Sequence, residues 1–193
     1  MVRELSLDVS YDPETNTYTA KTDDPTLLIG TTSSETLQGK LGDDQLFGDA
    51  GHDILVGGGG EDKLVGDAGD DILLGGAGDD ELIGGAGADT ASFEGVTSDL
   101  ILDLDAGTAI GSETGEDTFA EIENITAGSG DDLLIGDDSD NILRGGAGND
   151  ILDGGRGDDV FDGGDGFDYL DFSGVSADLT VDLFDLAFGQ GEV

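Results

Sequence analysis

A nine-residue period between Gly39 and Ser92 constrains the fold of this chain more than any other feature. Six consecutive units carry glycine at positions one and four and aspartate at position six, and five of them carry leucine at position eight. The units read GKLGDDQLF, GDAGHDILV, GGGGEDKLV, GDAGDDILL, GGAGDDELI and GGAGADTAS. A unit this short cannot bury a hydrophobic core alone, so the period predicts a solenoid in which neighbouring units stack.

The period breaks after Ser92 and returns in a second array of five units that begins at Ala127. These units read AGSGDDLLI, GDDSDNILR, GGAGNDILD, GGRGDDVFD and GGDGFDYLD, and position six is aspartate except where Asn141 stands. A degenerate unit, GTTSSETLQ, begins at Gly30 and carries Glu35 at position six. The chain therefore holds two blocks of one solenoid.

Alternating apolar residues predict strands ahead of the first block. The alternation runs through Leu5, Leu7, Val9 and Tyr11, before a Pro-containing turn. It resumes at Tyr18, which predicts a two-stranded hairpin. Such a hairpin can cover the first open coil, since the ends of a solenoid need caps.

The segment between the blocks, 93–126, is predicted to form larger β coils that continue the same stack. Leu100 and Leu102 alternate with other residues, and a turn follows them. Residues 93–104 match residues 172–183 at an offset of 79. The chain therefore looks like a fragment of a longer protein in which a second such segment begins.

We predict an all-β fold made of five segments. They are an N-terminal hairpin cap at 1–29, a first repeat block at 30–92, a β spacer at 93–126, a second repeat block at 127–171 and the truncated start of a second spacer at 172–193.

The net charge excludes two classes of partner. The chain has 46 acidic residues against six basic ones, a formal net charge of -40. Nucleic acids and anionic membrane surfaces are bound through clustered Lys and Arg, so neither is expected here. This charge together with 36 glycines would by itself predict disorder. The apolar residues nevertheless keep phase with the glycines and aspartates, which favours a fold once the charge is neutralised.

The sequence also lacks several common features. It has no cysteine, so it forms no disulfides. No apolar run is long enough for insertion into a membrane. The first residues lack the basic and apolar regions of a classical signal peptide, so secretion is expected to follow a signal-peptide-independent route or to use a signal outside this stretch.

Glycine and aspartate at fixed positions are the components of an all-oxygen metal site. Glycine at positions one, two and four permits a sharp turn with inward carbonyls, and aspartate at position six ends that turn with a carboxylate. Two units make one coil, so equivalent turns stack about 4.8 Å apart. Carboxylates and carbonyls suit Ca²⁺, whereas Mg²⁺ demands tighter octahedral geometry. Zn²⁺ would favour His or Cys, and the chain has one His and no Cys.

The pattern G-G-x-G-x-D-x-U-x resembles the RTX (repeats-in-toxin) calcium-binding nonapeptide repeat, over the stretch from Gly30 to Asp171. The resemblance implies a right-handed parallel β-roll in which six residues form a turn and three form a short strand. It also implies that calcium binds to position-six side chains and to carbonyls of positions one and three. The implied side-chain ligands are Asp44, Asp53, Asp62, Asp71, Asp80, Asp89, Asp132, Asp150, Asp159 and Asp168. The implied carbonyl ligands are Gly48, Ala50, Gly57, Gly59, Gly66, Ala68, Gly75, Ala77, Gly145, Ala147, Gly154 and Arg156.

Pairs of position-six residues two units apart give about seven calcium sites by counting, and further sites can lie at the edges of the spacer. Glu35 and Asn141 depart from the pattern, and we expect their sites to bind calcium weakly or not at all. Acidic residues at position five, such as Asp70 and Asp79, are expected to form a solvated rim.

The apolar core predicted here is thin, with one inward residue per unit, and the stacked carboxylates repel each other. Burial of these residues does not offset the conformational entropy lost on ordering each unit. We therefore expect metal binding to supply the missing free energy, so that folding and binding are one event.

The sequence and the resemblance predict a calcium-binding module of a larger secreted bacterial protein, which folds on calcium binding and acts as a structural, secretion-coupled scaffold. The alternatives are a carbohydrate- or surface-binding adhesin module, or an accessory domain of a secreted protease or polysaccharide-modifying enzyme. The expected partners are calcium and other domains of the parent protein. A surface glycan is a further candidate partner, for which Phe161, Phe167 and Tyr169 are the candidate cluster, although an apolar core at the end of the array explains these rings better. The module is expected to be extracellular and monomeric. No catalytic motif is present, and His52 at position five is expected to be a surface substitution rather than a base.

Overall fold

The computed structural model describes residues 9–173, which form nineteen strands and no helix. The strands are β1 (Val9–Asp12), β2 (Thr17–Ala20), β3 (Leu27–Ile29), β4 (Thr36–Leu41), β5 (Gln45–Phe47), β6 (Ile54–Gly59), β7 (Lys63–Ala68), β8 (Ile72–Ala77), β9 (Glu81–Ala86), β10 (Thr90–Ser92), β11 (Leu100–Asp103), β12 (Thr108–Gly111), β13 (Gly115–Ala120), β14 (Asn124–Thr126), β15 (Leu133–Ile135), β16 (Ile142–Ala147), β17 (Ile151–Asp153), β18 (Val160–Asp165) and β19 (Tyr169–Leu170). No helix that could cross a membrane is found among these residues. The predicted all-β class is confirmed.

The strands form two sheets joined by the turns. The first sheet has the order β1-β2-β4-β6-β8-β10-β14-β16-β18, and the second has the order β19-β17-β15-β11-β12-β13-β9-β7-β5-β3. Within a block, consecutive strands alternate between the sheets, and each pairs in parallel with the strand one coil later. Leu37 pairs with Leu55, for example, and Leu55 with Leu73. This is a parallel β-solenoid of about nine coils, so the predicted β-roll with two units per coil is confirmed.

The position-eight residues of both sheets fill the space inside the roll. Alternate side chains of a strand face opposite sides of a sheet, so position eight points inward while positions seven and nine point outward. Accordingly Ile54 and Ile72 at position seven are each 39 % exposed. The leucines without any exposed surface are Leu37, Leu46, Leu55, Leu64, Leu73, Leu82, Leu102, Leu134, Leu143 and Leu152.

The predicted hairpin is present at the start of the described chain. Strands β1 and β2 pair in antiparallel fashion, and Val9 lies opposite Ala20. Strand β2 in turn pairs in parallel with β4, which places the hairpin at the end of the first sheet. The turn residue Asn16 has a φ of 50°. Leu5 and Leu7, which were also assigned to this hairpin, lie outside the described residues.

The spacer continues both sheets but changes strand direction in one of them. In the second sheet, β11, β12 and β13 form an antiparallel meander inserted between β9 and β15. In the first sheet, β14 alone bridges β10 and β16 in parallel. The stack is therefore continuous, as predicted, although the meander itself was not anticipated. Residues 174–193, most of the predicted second spacer, lie outside the described residues.

Candidate metal centre

The turns of successive coils stack most closely where positions two and four are glycine. At position four, Gly60 has a φ of +125°, and a Cβ there would lie 2.5 Å from the carbonyl oxygen of Gly42 one coil earlier. At position two, Gly58 has a φ of +117°, and a Cβ would overlap the carbonyl oxygen of Lys40. Glycine adopts these φ values without strain and leaves the space open, which brings the main-chain oxygens of neighbouring turns together.

The position-six residues, together with Asp117 and Glu123 of the spacer, stack in two columns, one beside each sheet. The first column contains Asp44, Asp62, Asp80, Asp117, Asp132, Asp150 and Asp168, and the second contains Glu35, Asp53, Asp71, Asp89, Glu123, Asn141 and Asp159. One oxygen of each aspartate accepts the main-chain amide of a residue one coil earlier. The bond from the amide of Asp44 to Asp62 Oδ1 is 2.7 Å long. All seven predicted pairs of position-six residues are stacked neighbours of this kind.

The second carboxylate oxygen of nine aspartates has no hydrogen-bond partner. These oxygens are the Oδ2 atoms of Asp44, Asp53, Asp62, Asp71, Asp80, Asp89, Asp117, Asp132 and Asp150. Each of these side chains is at most 3 % exposed. A buried, ionised carboxylate costs several kcal/mol unless it is paired, so this array of open oxygens calls for a cation.

Six of the nine open oxygens lie beside the Cβ position of a glycine of their own turn and close to a carbonyl of the next coil; they belong to Asp44, Asp53, Asp62, Asp71, Asp89 and Asp150. The place where a Cβ on Gly48 would lie is 2.5 Å from Asp53 Oδ2 and 2.7 Å from the carbonyl oxygen of Gly66. We call this space, bounded by a position-one glycine, a carboxylate and a carbonyl, a cradle. Equivalent cradles surround Gly39, Gly57, Gly66 and Gly145. The missing side chain at position one therefore leaves room where two oxygens converge.

The donors in a cradle fit calcium. No three His, Cys, Asp or Glu side chains converge as a metal cluster among residues 9–173, so main-chain carbonyls must complete any coordination shell. Carboxylate and carbonyl oxygens with flexible geometry are the ligands that Ca²⁺ accepts. The same set lacks the nitrogen and sulfur donors typical of zinc.

The predicted carbonyl ligands at position one are placed unequally. The carbonyls of Gly57, Gly66 and Gly75 each lie at a cradle with an aspartate. Those of Gly48 and Gly154 lie instead beside the side chains of Glu35 and Asn141. Gly145 lies one coil after Ala127, which is position one of its own unit. Ala127 has a Cβ at this position, whereas the other units have glycine.

The predicted carbonyl ligands at position three take part in hydrogen bonds between coils. The carbonyl of Ala68 accepts the amide of Gly51 at 2.8 Å. The carbonyls used in this way are those of Gly59, Ala68 and Ala77. At Ala50, Ala147 and Arg156 the main-chain amide donates to the preceding coil. A carbonyl has two lone pairs, so these bonds leave a lone pair for a metal, and the ligand role of position three stays a prediction.

Burial raises the pKa of the column carboxyls. Desolvation raises the pKa of Asp62 to about 6, although the hydrogen bond from the amide of Asp44 lowers it. Desolvation likewise raises the pKa of Asp80 to about 7, and the nearby charge of Asp117 adds to the rise. The pKa of Asp117 is also raised to about 7 by burial. Protons and metal ions therefore compete for these oxygens near neutral pH.

Glu35 and Asn141 differ from the column aspartates because groups around them already satisfy their side chains. Glu35 accepts hydrogen bonds from both the amide and the hydroxyl of Thr31. Asn141 Oδ1 accepts the amide of Asp137 at 2.8 Å, and its Nδ2 donates to the carbonyl of Glu123 at 2.8 Å. These bonds support the expectation that both positions bind calcium weakly or not at all.

The columns become more open toward the C-terminal end of the second block. Asp159 is half-buried and Asp168 is exposed. The stacking nevertheless persists, because the amide of Asp150 donates to Asp168 Oδ1 at 3.1 Å. The two last predicted side-chain ligands thus keep their place in the columns with greater access to solvent.

Two residues of the spacer occupy column positions and were not predicted as ligands. Asp117 follows Asp80 in the first column, and Glu123 follows Asp89 in the second. A sequence signal existed for the aspartate: Asp117 lies two residues after a glycine and two before Phe119, which is the spacing of positions four, six and eight. Strand β13 carries this segment in parallel beside β9.

Position five forms a separate, exposed ladder outside the columns. Asp70 Oδ1 accepts the amide of Ala88 at 3.0 Å, and Asp79 Oδ1 accepts that of Glu116 at 3.0 Å. His52 takes the same structural role, because its Nδ1 accepts the amide of Asp70 at 2.8 Å. These side chains therefore lie on the rim of the roll and link successive turns.

A parallel roll whose stacked turns converge carboxylate and carbonyl oxygens belongs to the class of calcium-binding solenoids. The family model of the RTX calcium-binding nonapeptide repeat matches in four copies, over residues 29–64, 56–91, 117–151 and 135–170. The chain belongs to this RTX repeat family. Its repeats bind calcium, and their roll is a structural and typically non-catalytic fold. No curated protein matches the chain in sequence.

Gly48→Ala is expected to destabilise the calcium-bound roll by about 1–3 kcal/mol, the usual effect of overpacking. The new Cβ would lie 2.5 Å from Asp53 Oδ2 and 2.7 Å from the carbonyl oxygen of Gly66, inside a cradle. Denaturant unfolding at saturating calcium measures the difference. Gly59→Ala is the matched control. A Cβ on Gly59 would have the side-chain atom Leu41 Cδ2 as its nearest neighbour, at 3.1 Å, and other units carry alanine at position three. Equal stability of the two variants would contradict the cradle.

Proposed function

We propose that this chain is a calcium-folded scaffold module of a larger secreted bacterial protein. The observation that carries the proposal is the array of nine buried aspartate oxygens without a partner, most of them beside a carbonyl of the next coil. RTX repeat proteins are typically secreted bacterial proteins. Outside cells calcium is available at about 10⁻³ M, the range bound by extracellular modules. In this setting the ions hold an otherwise unstable roll in one shape.

In this proposal the position-six aspartates supply side-chain oxygens and the position-one carbonyls complete each site, with position three as a further donor. Six of the seven predicted pairs join two aspartates, and the seventh joins Asn141 to Asp159. About seven or more ions would therefore bind along the two columns. The ions would neutralise part of the net charge of -40, which favours the compact state.

The scaffold role also includes the parts of the chain outside the repeats. The segment 1–29 would cap the first coil, and the spacer at 93–126 would join the two blocks at 30–92 and 127–171 into one stack. Other domains of the parent protein would attach at the ends of this monomeric, non-catalytic module. The continuous pairing of the first sheet from β1 to β18, and of the second sheet from β3 to β19, supports a single extended body.

Glycan binding is a second candidate function, which one specific observation favours. Phe167 is 90 % exposed and Tyr169 is 62 % exposed near the end of the second block, and aromatic rings are suited to stacking on sugars. Phe161, the third residue of the proposed cluster, packs against the core instead and meets Phe172 edge-on at 5.9 Å. Since two rings rather than three face solvent, the scaffold role is the stronger proposal.

A calcium titration tests the scaffold proposal. Isothermal titration calorimetry is expected to show about seven or more Ca²⁺ per chain, with Mg²⁺ a poor substitute because it demands octahedral geometry. Asp71→Asn keeps an oxygen for the amide of Asp53 but removes the charge between two predicted sites, so it is expected to lose two ions. Asp70→Asn, on the exposed rim, is the control. Absence of calcium binding in the wild type would rule the proposal out.

A further inference from the structure

The spacer carries carboxylates in the metal columns although its nine-residue unit is broken. Residues 115–126 read GEDTFAEIENIT, which contains a single glycine. Within this segment Asp117 joins the first column and Glu123 joins the second. The last coil of the first block is therefore covered on both sides by spacer residues.

In the first column two open oxygens lie on successive coils. Asp117 is 1 % exposed, and its Oδ1 accepts the amide of Asp80 at 3.0 Å. Its Oδ2 has no partner, and neither does Oδ2 of Asp80, which is 3 % exposed. Aspartates of successive coils with open oxygens are also stacked in this way within the blocks, and here the second aspartate comes from the spacer.

In the second column the spacer supplies the carbonyl of one cradle and the next carboxylate of the column. Asp89 has no exposed surface, and its Oδ2 has no partner. A Cβ on Gly84 would lie 2.6 Å from this oxygen and would overlap the carbonyl oxygen of Glu121. The carboxylate of Glu123 accepts the amide of Asp89 at 2.8 Å, as the next aspartate does elsewhere.

We propose that the spacer builds two further calcium sites at the end of the first block. One lies between Asp80 and Asp117, and the other lies between Asp89 and Glu123 with the carbonyl of Glu121. The inference rests on the proposed function, because it takes calcium as the ion of the columns. As a consequence, the bound metal ions hold the spacer against the first block, so the spacer and the first block fold together.

The series of sites ends immediately beyond these two. In the first column the residue stacked beside Asp132 is Leu100, whose amide donates to Asp132 Oδ1 at 2.8 Å. Leu100 is 2 % exposed and has no oxygen to offer in its side chain. In the second column the next residue is Asn141, whose amide is already hydrogen bonded. The proposed sites therefore close the first run of metal positions.

Two conservative variants of the full chain test this inference. Asp117→Asn and Glu123→Gln are each expected to bind one Ca²⁺ fewer than the wild type in equilibrium dialysis. Glu116→Gln and Glu121→Gln are the controls, since both side chains are exposed and the second keeps its main-chain carbonyl. Both controls are expected to bind as many ions as the wild type.

Wild-type stoichiometry in both Asp117→Asn and Glu123→Gln would overturn the inference and leave the proposed function standing. A wild-type chain that binds no calcium would instead overturn the proposed function. Asp117→Leu controls for loss of calcium binding through misfolding. Leu100 occupies the equivalent place beside Asp132, so a buried leucine fits this position of the column. The Asp117→Leu variant is expected to keep the calcium-bound circular dichroism spectrum and still lose one ion.

Discussion

Removal of calcium at neutral pH is expected to unfold the chain. The folded roll buries nine carboxylates that each keep one oxygen without a partner. Leaving a buried polar group unsatisfied costs about 1–3 kcal/mol, and more when it is charged. A domain of this size has a total stability of only about 5–15 kcal/mol. A few such groups without their cation therefore suffice to make the unfolded state the more stable one.

The hydrophobic core is too thin to compensate. Each unit contributes one fully buried position-eight side chain, such as Leu64 or Leu73, while the residues of its turn must also be ordered. Position seven remains partly exposed, as at Ile54 and Ile72. Metal binding thus supplies free energy that packing does not, and folding is coupled to it.

Circular dichroism and size-exclusion chromatography in excess chelator measure this effect. The strand spectrum is expected to collapse to that of a disordered chain, the hydrodynamic radius is expected to grow, and both are expected to recover when calcium is restored. Equal amounts of Mg²⁺ provide the control and are expected to restore little structure. A compact chain with an intact strand spectrum in chelator would show that the cradles do not hold the fold together.

The repeat units made most of the fold predictable from the sequence. The same pattern recurs from unit to unit: glycine where neighbouring turns approach closely, aspartate where the columns form, and leucine where the core lies. Leu46 and Leu64, for example, pair across one coil as the nine-residue period requires. A single occurrence of such a pattern would be ambiguous, but its repetition fixes the register.

The direction of the spacer strands could not be predicted in the same way. Alternation of apolar residues at Leu100 and Leu102 is identical for a strand that runs either way. Whether β12 returns in antiparallel fashion depends on the length of the turn after Asp103 and on the pairing available at β9. Neither is expressed in the periodicity, so the meander appears only in the structure.

The column positions of Asp117 and Glu123 were missed for a related reason. In a regular unit, position one and position six are separated by four residues, whereas the spacer brings the carbonyl of Glu121 and the side chain of Glu123 to the same two places with one residue between them. Glu121 adopts a φ of 56° to make this shorter turn. A search at fixed spacing cannot detect a site assembled by a turn of different length.

Acidification of the metal-free chain is expected to promote folding rather than to oppose it. Desolvation raises the pKa of Asp53 to about 6 and those of Asp80 and Asp117 to about 7, above the ordinary value of 3.8. The folded state therefore binds protons more tightly than the unfolded state. The resulting stability is fully present below about pH 4 and is lost as the pH rises through about 6 to 7.

A pH series of circular dichroism spectra in chelator tests this sign. Strand signal is expected to grow as the pH falls through the interval from about 7 to about 6, the range of the raised pKa values. In the presence of calcium the opposite dependence is expected, because protons displace the metal and raise the calcium concentration needed for folding. A metal-free chain that loses structure on acidification across this range would contradict the prediction.

The substitution Asp80→Asn distinguishes, at a single residue, the cost of burying a carboxylate from its contribution to calcium binding. The amide resembles the protonated carboxyl at every pH, so the metal-free variant is expected to retain more structure at neutral pH than the wild type. The same substitution removes a charged ligand, so the calcium-bound variant is expected to be less stable. Asp79→Asn, on the exposed rim, serves as the control and is expected to change neither. Opposite shifts in the two states would trace the calcium dependence of the fold to the burial of the column carboxylates.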